Sequence, residues 1–333
     1  MNQMSAPQGG QGLLQLTVRQ IRAEGHGINS YEFVDPDGGE LPPFEAGAHV
    51  DVHLGSGLTR QYSLSNDPAE RNRYVIAVLH DPNGRGGSAA VHKQLHVRDT
   101  VSIGVPRNNF PLCEGTGKVV LVAGGIGVTP LKSMAHVLAS TGRAFELHYC
   151  AKSRDHIAFA DELEALATDN TVHFHYDGGD PAKSLDIARM LAERRDPGTS
   201  VYYCGPGGFM AACAAATTEW DAGTVHFEHF KPPAPPKREP AEAGDVTSFT
   251  AVIQSTGQEV EVQQDQSLAD ALEAAGKPVE TSCISGLCGA CKTRYVSGDV
   301  EHNDCILSAD EQAEYLTACV SRGRAGTTLV LDL

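Results

Sequence analysis

The sequence predicts a chain of three folded parts: an antiparallel β-barrel, then an α/β domain with a parallel sheet, then a small mixed domain built around a cysteine-rich loop. Three observations carry this. At 333 residues the chain is roughly twice the length of a typical domain of about 150 residues. Its apolar pattern changes character near residue 115. Residues 231–244, KPPAPPKREPAEAG, place five prolines in fourteen positions, which favours an extended spacer over a packed element. The expected divisions are 13–114, 115–230, a linker at 231–244, and 245–333.

The first part reads as short segments broken by turn residues: LLQLTVRQI, SYEFV, HVDVHL, TRQYSL, RYVIAVLH and TVSIGV. That spacing suits an antiparallel barrel, with a short helix expected only near residues 91–96. From residue 117 the pattern becomes apolar strand followed by helical stretch, four times over: KVVLVA then PLKSMAHVLAS, FELHYCA then AFADELEALA, VHFHYD then LDIARMLAER, SVYYCG then GFMAACAAATTEW. Such alternation predicts a parallel sheet covered by helices. Beyond the linker come two strand-like runs, SFTAVIQS and EVEVQQ, a helix capped by Ser267, a Gly/Cys loop, and further strand.

Charge narrows the function. Lys plus Arg total 26 and Asp plus Glu 42, a net charge of -16, which repels nucleic-acid phosphates and anionic lipid alike. Residues 245–333 hold 5 basic against 14 acidic residues and so contribute -9 of that charge. The longest apolar run, 119–128, is far shorter than the roughly 20 residues of a bilayer span. Residues 1–12 are polar and lack the basic start and apolar middle of an export signal. A cytoplasmic chain with neither nucleic-acid nor membrane partners is expected. Nine cysteines in a reducing compartment read as ligands or buried thiols rather than disulfides.

Cys283, Cys288 and Cys291 have the spacing CxxxxCxxC, with Cys319 following. This is the plant-type arrangement of four thiolates around a [2Fe-2S] cluster. Gly286, Gly289, Ser282, Ser285 and Ala290 would let backbone N–H groups approach the sulfurs. A zinc site ordinarily shows two CxxC pairs and fits less well. Cys305 competes for the fourth place; Cys319, beside the final strand, is preferred. Residues 245–333 thus resemble a plant-type ferredoxin of β-grasp fold, and the resemblance implies a one-electron carrier.

In the parallel-sheet part, VAGGIGVTP at 122–130 ends a strand and opens a helix, where free N–H groups and the helix dipole favour a phosphate. It is neither a Walker loop nor GxGxxG, and a tight packing turn would look similar. YCGP at 203–206 should reach the same sheet edge. The barrel offers RQYSL at 60–64 and GRGGS at 84–88: arginine, hydroxyl and glycine amides suit a phosphate monoester, and Tyr62 could lie against a flat heterocycle. Together RxYS, GGIGVTP and YCGP resemble the ferredoxin-NADP reductase superfamily. With PRNNFPL at 106–112 and HFEHF at 226–230, the domain order is similar to the phthalate dioxygenase reductase and vanillate demethylase reductase family.

That resemblance implies FMN, where relatives use FAD; spacing alone does not separate the two. It implies that Arg60, Gly87 and Ser88 hold the FMN phosphate, that Tyr62 and Ser63 lie along the isoalloxazine with Ser63 near N5, and that Phe227 or Phe230 covers the flavin. Gly124, Gly125, Gly127 and Thr129 would bind the dinucleotide, with Cys204 and Gly205 beside the nicotinamide; Cys204 could equally be a packed thiol. NADH is implied, although Lys152, Ser153 and Arg154 could receive the 2′-phosphate of NADPH, and Asp177 is a candidate ribose carboxylate. Cys113, Cys150 and Cys213 read as core thiols, and His173 and His175 as strand faces.

The expected function is an NADH-dependent reductase in which a flavin converts a two-electron donor into single electrons for the cluster, passed to a Rieske-type terminal oxygenase of an aromatic-ring dioxygenase or O-demethylase system. Ser63 and Cys204 are the expected catalytic residues. A reductase for a cytochrome P450 or other acceptor, and a non-enzymatic iron–sulfur carrier or sensor, are the competing readings.

Overall fold

The computed structural model describes residues 12–55, 57–166, 172–232 and 248–333. Most of the expected linker, and the expected seam at residue 245, lie outside them. The chain divides into two compact units, the first ending at Glu228 and the second beginning at His229.

The first unit opens with a six-stranded sheet: β1 (Leu13–Gly25), β2 (Ile28–Val34), β3 (His49–His53), β4 (Thr59–Ser63), β5 (Tyr74–Leu79) and, after the helix α1 (Gly87–Gln94), β6 (Thr100–Gly104). The order is β4-β3-β6-β1-β2-β5, and every neighbouring pair is antiparallel. A bridge between Leu64 and Ile76, with the Ser65 N–H donating to the Val75 carbonyl at 2.8 Å, joins the two edges and closes the barrel. Closure removes the exposed strand edges that an open sheet would carry. Alternate residues, among them Leu16, Val18, Phe33, Val50, Val52, Ile76 and Ile103, fill the interior. Helix α1 begins four residues before the expected position, because Gly86, at φ 78, turns the GRGGS loop straight into it; glycine tolerates that left-handed conformation.

PRNNFPL connects barrel to sheet. The Arg107 guanidinium donates to Asp51 at 2.7 Å, the Asn108 amide donates to the Ala46 carbonyl, and the Phe110 ring packs 5.7 Å from Tyr202. Then follow β7 (Val119–Gly124), α2 (Val128–Thr141), β8 (Phe145–Ala151), α3 (Ala160–Leu166), β9 (Val172–Tyr176), α4 (Ile187–Ala192), β10 (Ser200–Cys204), α5 (Gly207–Ala216) and β11 (Val225–Glu228). All five strands are parallel, in the order β11-β10-β7-β8-β9. The fully buried apolar β7 is what a doubly covered parallel strand requires. One face shares a core with the barrel residues Ile28, Ala46 and Ala77; the other packs Val120, Val122, Val201 and Tyr203 with Met190, Met210 and Trp220. The fifth strand, β11, comes from HFEHF, which the strand–helix alternation did not place in the sheet.

The second unit contains β12 (Phe249–Ile253), β13 (Glu259–Val262), α6 (Leu268–Ala274), β14 (Lys292–Ser297), β15 (Val300–Glu301), α7 (Ala309–Gln312), β16 (Tyr315–Thr317), β17 (Arg322–Gly323) and β18 (Thr328–Leu331). The main sheet runs β13-β12-β18-β14-β16 and is mixed, β12 and β18 being parallel. Helix α6 covers it, capped by the Ser267 hydroxyl accepting from the Asp270 N–H, a contribution of about 1 kcal/mol. The Gly/Cys loop bridges α6 to β14. No helix of the described residues is long and apolar enough to cross a membrane.

Candidate functional site

In the first unit the parallel register sets Ala123 of β7 beside Cys204 of β10, and Cys204 beside Glu228 of β11. The strand ends holding GGIGVTP and YCGP are therefore direct neighbours. Their glycines are there for backbone approach: a Cβ on Gly127 would sit 2.2 Å from the Cys204 carbonyl oxygen, and one on Gly205 would meet the Phe209 ring at 2.6 Å and the Gly124 Cα at 3.1 Å. Gly125 takes φ +53, so the chain can turn into α2. That helix has no side-chain N-cap and no acidic residue in its first turn. Its open N–H groups fit a pyrophosphate. Thr129 is buried and donates its hydroxyl to the Ile126 carbonyl at 3.1 Å, which shapes the loop.

Ser63 ends β4 and is buried. Its hydroxyl donates to a carboxylate oxygen of Glu228 at 3.4 Å, so a barrel strand meets the sheet edge here. Burial pushes the Glu228 carboxyl up to about 8, against the lowering effect of Ser63. The Cys204 thiol is raised well above its ordinary value by burial and by the Glu228 charge, and is not a thiolate. Glu228 went unremarked in the sequence. Its place inside HFEHF was visible, but only the β10–β11 register shows that it stands beside Cys204.

Arg60 and Tyr62 share one face of β4 by strand alternation. The Arg60 guanidinium donates to the Thr59 and Arg85 carbonyls at 2.8 and 2.9 Å. A Cβ on Gly87 would fall 2.2 Å from Arg60 Nε, so glycine is what lets the guanidinium lie against the first turn of α1, whose N-terminus has no side-chain cap. Arginine over open amides is a cradle of the right chemistry for a phosphate, and FMN fits it. Ser88 lies in that turn, its hydroxyl accepting from the Asp81 N–H. Tyr62 packs against the barrel core, and burial raises its phenol. Phe227 is not brought to Ser63: its ring stacks on Tyr203 at 5.4 Å, on the sheet face opposite Glu228. Phe230 lies in the second unit, 36% exposed. Arg154 is paired with Glu164 at 2.7 Å, and the Asp177 carboxylate accepts from Gly179 N–H and Ser184 hydroxyl.

In the second unit the four predicted cysteines converge. Cys291 and Cys319 sulfurs are 3.1 Å apart, and hydrogen bonds from Cys288 and then Cys319 hold the Cys283 thiol far below its ordinary pKa. Backbone N–H groups of Ser285 and Leu287 point at Cys283 Sγ, and that of Ala290 at Cys288 Sγ, each at 3.4 Å. Gly286 has φ +71, and a Cβ there would meet Val320 at 2.7 Å and Asp304 Cα at 3.0 Å, so only glycine carries the loop past its neighbours. Four thiols ringed by amides suit an iron–sulfur cluster. Burial, and then the Asp304 charge, raise the Cys305 thiol.

A flavin-type barrel joined to a nucleotide-binding sheet and to a four-cysteine ferredoxin unit defines a flavin and iron–sulfur oxidoreductase. Comparison with known proteins agrees. Residues 121–215 match the oxidoreductase NAD-binding domain and residues 251–323 the 2Fe-2S iron-sulfur cluster binding domain. The chain is 55% identical over 325 residues to the reductase subunit of the tert-butanol monooxygenase / tert-amyl alcohol desaturase of Aquincola tertiaricarbonis, covering 96% of both. It is 45% identical over 325 residues to the vanillate O-demethylase oxidoreductase of a Pseudomonas species, covering 96% of this chain and all of that one. The solved structure of phthalate dioxygenase reductase, described as a modular structure for electron transfer from pyridine nucleotides to [2Fe-2S], superposes with a TM-score of 0.70 at 41% identity over 97% of this chain and 98% of that one. The chain belongs to the phthalate dioxygenase reductase and vanillate O-demethylase reductase family. It is an NAD(P)H-dependent oxidoreductase, an oxygenase reductase whose cofactors are FMN, a [2Fe-2S] cluster and a pyridine nucleotide.

Proposed function

We propose that the chain delivers electrons from NADH to a Rieske-type terminal oxygenase of an aromatic-ring dioxygenase or O-demethylase system. The observation that carries the proposal is the union, in one chain, of the Ser63–Glu228–Cys204 junction with a four-cysteine loop. The first can receive a hydride donor and the second can hold single electrons. Bound flavin supplies the exchange between the two.

The chain's own groups then position and tune. Arg60, Gly87, Ser88 and the first turn of α1 hold the FMN phosphate, and Tyr62 lies along the ring. Gly124, Gly125, Gly127, Thr129 and Gly205 take the dinucleotide. Burial raises the Glu228 carboxyl, which favours an uncharged partner for the Ser63 hydroxyl and lessens the buried charge that would oppose the arrival of negative charge. The Cys204 thiol, also uncharged, offers a small polarisable surface beside the nicotinamide. Catalysis is positioning rather than acid–base chemistry. Cys283, Cys288, Cys291 and Cys319 hold the cluster. A cytoplasmic setting belongs to the same proposal, supported by nine cysteines of which none is joined in a disulfide.

Anaerobic titration with NADH and NADPH, following flavin and cluster absorbance, tests the path; mixing the reduced protein with a Rieske oxygenase and with a haem oxygenase tests the acceptor. Prompt reoxidation by the Rieske protein is expected. Bleaching of the flavin without the cluster would overturn the path, and reoxidation by the haem protein alone would overturn the acceptor.

A further inference from the structure

Strands β8 and β9 carry four metal-ligand side chains on one face. Leu147, Tyr149, Val172 and Phe174 point into the core shared with the barrel, so alternation turns Glu146, His148, His173 and His175 to the other side. The parallel register sets His148 against His173, and Cys150 against His175. The His148 ring lies nearly parallel to both other histidine rings, with centroids 4.8 Å from His173 and 5.3 Å from His175. One carboxylate oxygen of Glu146 and one imidazole nitrogen each of His148 and His173 lie within 4.8 Å of one another. None of these residues is assigned to the electron path.

We propose that Glu146, His148 and His173 form a site for a divalent transition metal, Zn2+ first among them, with His175 as the outer partner that orients His148. Two imidazoles and a carboxylate suit zinc, and leave a fourth position for water. His148 Nε2 faces Glu146 Oε2 at 3.2 Å, and Nδ1 faces His175 Nε2 at 3.1 Å. Without metal, His148 Nε2–H donates to the carboxylate and Nδ1 accepts from His175. With metal, the ion takes the place of that proton. His148 then carries its hydrogen on Nδ1 and donates to His175 Nε2, while His175 moves its own hydrogen to Nδ1. Both rings stay neutral and no proton is lost. A ligating imidazole held through its other nitrogen is the usual outer-shell arrangement.

Arg194 is the competitor. Its Nε donates to Glu146 Oε2 at 2.6 Å, the oxygen that the ion needs, whereas Lys118 pairs with Oε1. Removing Arg194 should therefore improve binding, an effect that damage to the fold does not mimic.

The test is equilibrium dialysis of the chelator-treated holoenzyme, flavin and cluster loaded, against micromolar Zn2+, with zinc and iron counted per chain. NADH-driven cytochrome c reduction serves as the control for folding. One Zn2+ per chain is expected for the wild type. It should be lost in His173→Ala and His148→Gln, bound about 10- to 100-fold more weakly in His175→Ala, and bound more tightly in Arg194→Met. The proposal is overturned if the wild type retains no zinc, if the histidine variants bind as the wild type does, or if Arg194→Met binds no better.

Discussion

Replacing Glu228 by glutamine probes the junction of barrel and sheet most directly. The carboxyl ionises near 8 in the folded protein instead of at the usual 4.5, because burial disfavours the anion. Between those limits the unfolded chain has released a proton that the fold retains. Stability is therefore full below about pH 4.5 and falls as pH rises toward 8, by about 1.4 kcal/mol per pH step at most. At pH 7 the full difference is about 3 kcal/mol. Solvent that reaches the partly exposed Glu228 screens the anion, so roughly half of that is expected. Glutamine keeps the shape and can still accept from Ser63, yet does not ionise. The Glu228→Gln protein should match the wild type near pH 4.5 and gain with rising pH, reaching a melting temperature higher by roughly 5 °C at pH 8. Release of FMN fluorescence on heating reports the first unit alone, which matters because a multidomain chain does not melt as one. Parallel melting curves for the two proteins from pH 5 to 8 would refute the reasoning, since the carboxyl would then be ordinary.

Further outcomes follow from the same structure. Cys319→Ser should lose the visible cluster spectrum and two irons per chain, while Cys305→Ser keeps both; the reverse pattern would reassign the fourth ligand. Arg60→Ala should weaken FMN retention by about 10- to 100-fold, the worth of a charge-assisted hydrogen bond, measured by ultrafiltration; riboflavin, which has no phosphate, should bind both proteins alike. Gly127→Ala places a methyl 2.2 Å from the Cys204 carbonyl oxygen, so NADH should saturate at higher concentration while flavin and iron contents stay normal. Lys132→Met removes the donor to the Ser65 carbonyl and the partner of Glu162, a loss of about 1–3 kcal/mol, seen as flavin release roughly 5 °C lower.

Elements whose apolar pattern had a single interpretation were legible. The six barrel segments are short, rich in strand-forming residues and separated by turn residues, and all six became strands. VVLVA at 119–123 is apolar throughout, as a doubly covered strand requires. The cysteine loop was legible for a different reason: its spacing is set by cluster chemistry rather than by the surrounding fold. What stayed hidden depends on register. HFEHF is too short and too polar to declare itself a fifth strand, and Glu228 acquires meaning only when β10 and β11 are aligned. Phe227 shows the converse, since an aromatic near the site was expected over the flavin, whereas alternation along β11 turns it to the opposite face, against Tyr203.

Lys132 shows how such register becomes fixed in space. It lies in the second turn of α2, the helix proposed to receive the dinucleotide at its open N-terminus, and is 2% exposed. Its ammonium donates to the Ser65 carbonyl at 3.0 Å, pairs with Glu162 at 2.7 Å and lies 4.7 Å over the Phe159 ring. Ser65 follows Ser63 by two residues. One buried cation therefore ties α2 to the segment just past the end of β4, the two elements proposed to present the dinucleotide and the flavin-side hydroxyl. Burial lowers its pKa, so the charge is held at a cost, and that cost would be avoided only by replacing the whole paired set with apolar side chains, not by removing Lys132 alone and leaving its partners unpaired. What a methionine there could not supply is direction. A hydride moves only between atoms about 3–3.5 Å apart, and a hydrogen bond to one particular carbonyl sets a distance where a greasy contact would tolerate sliding.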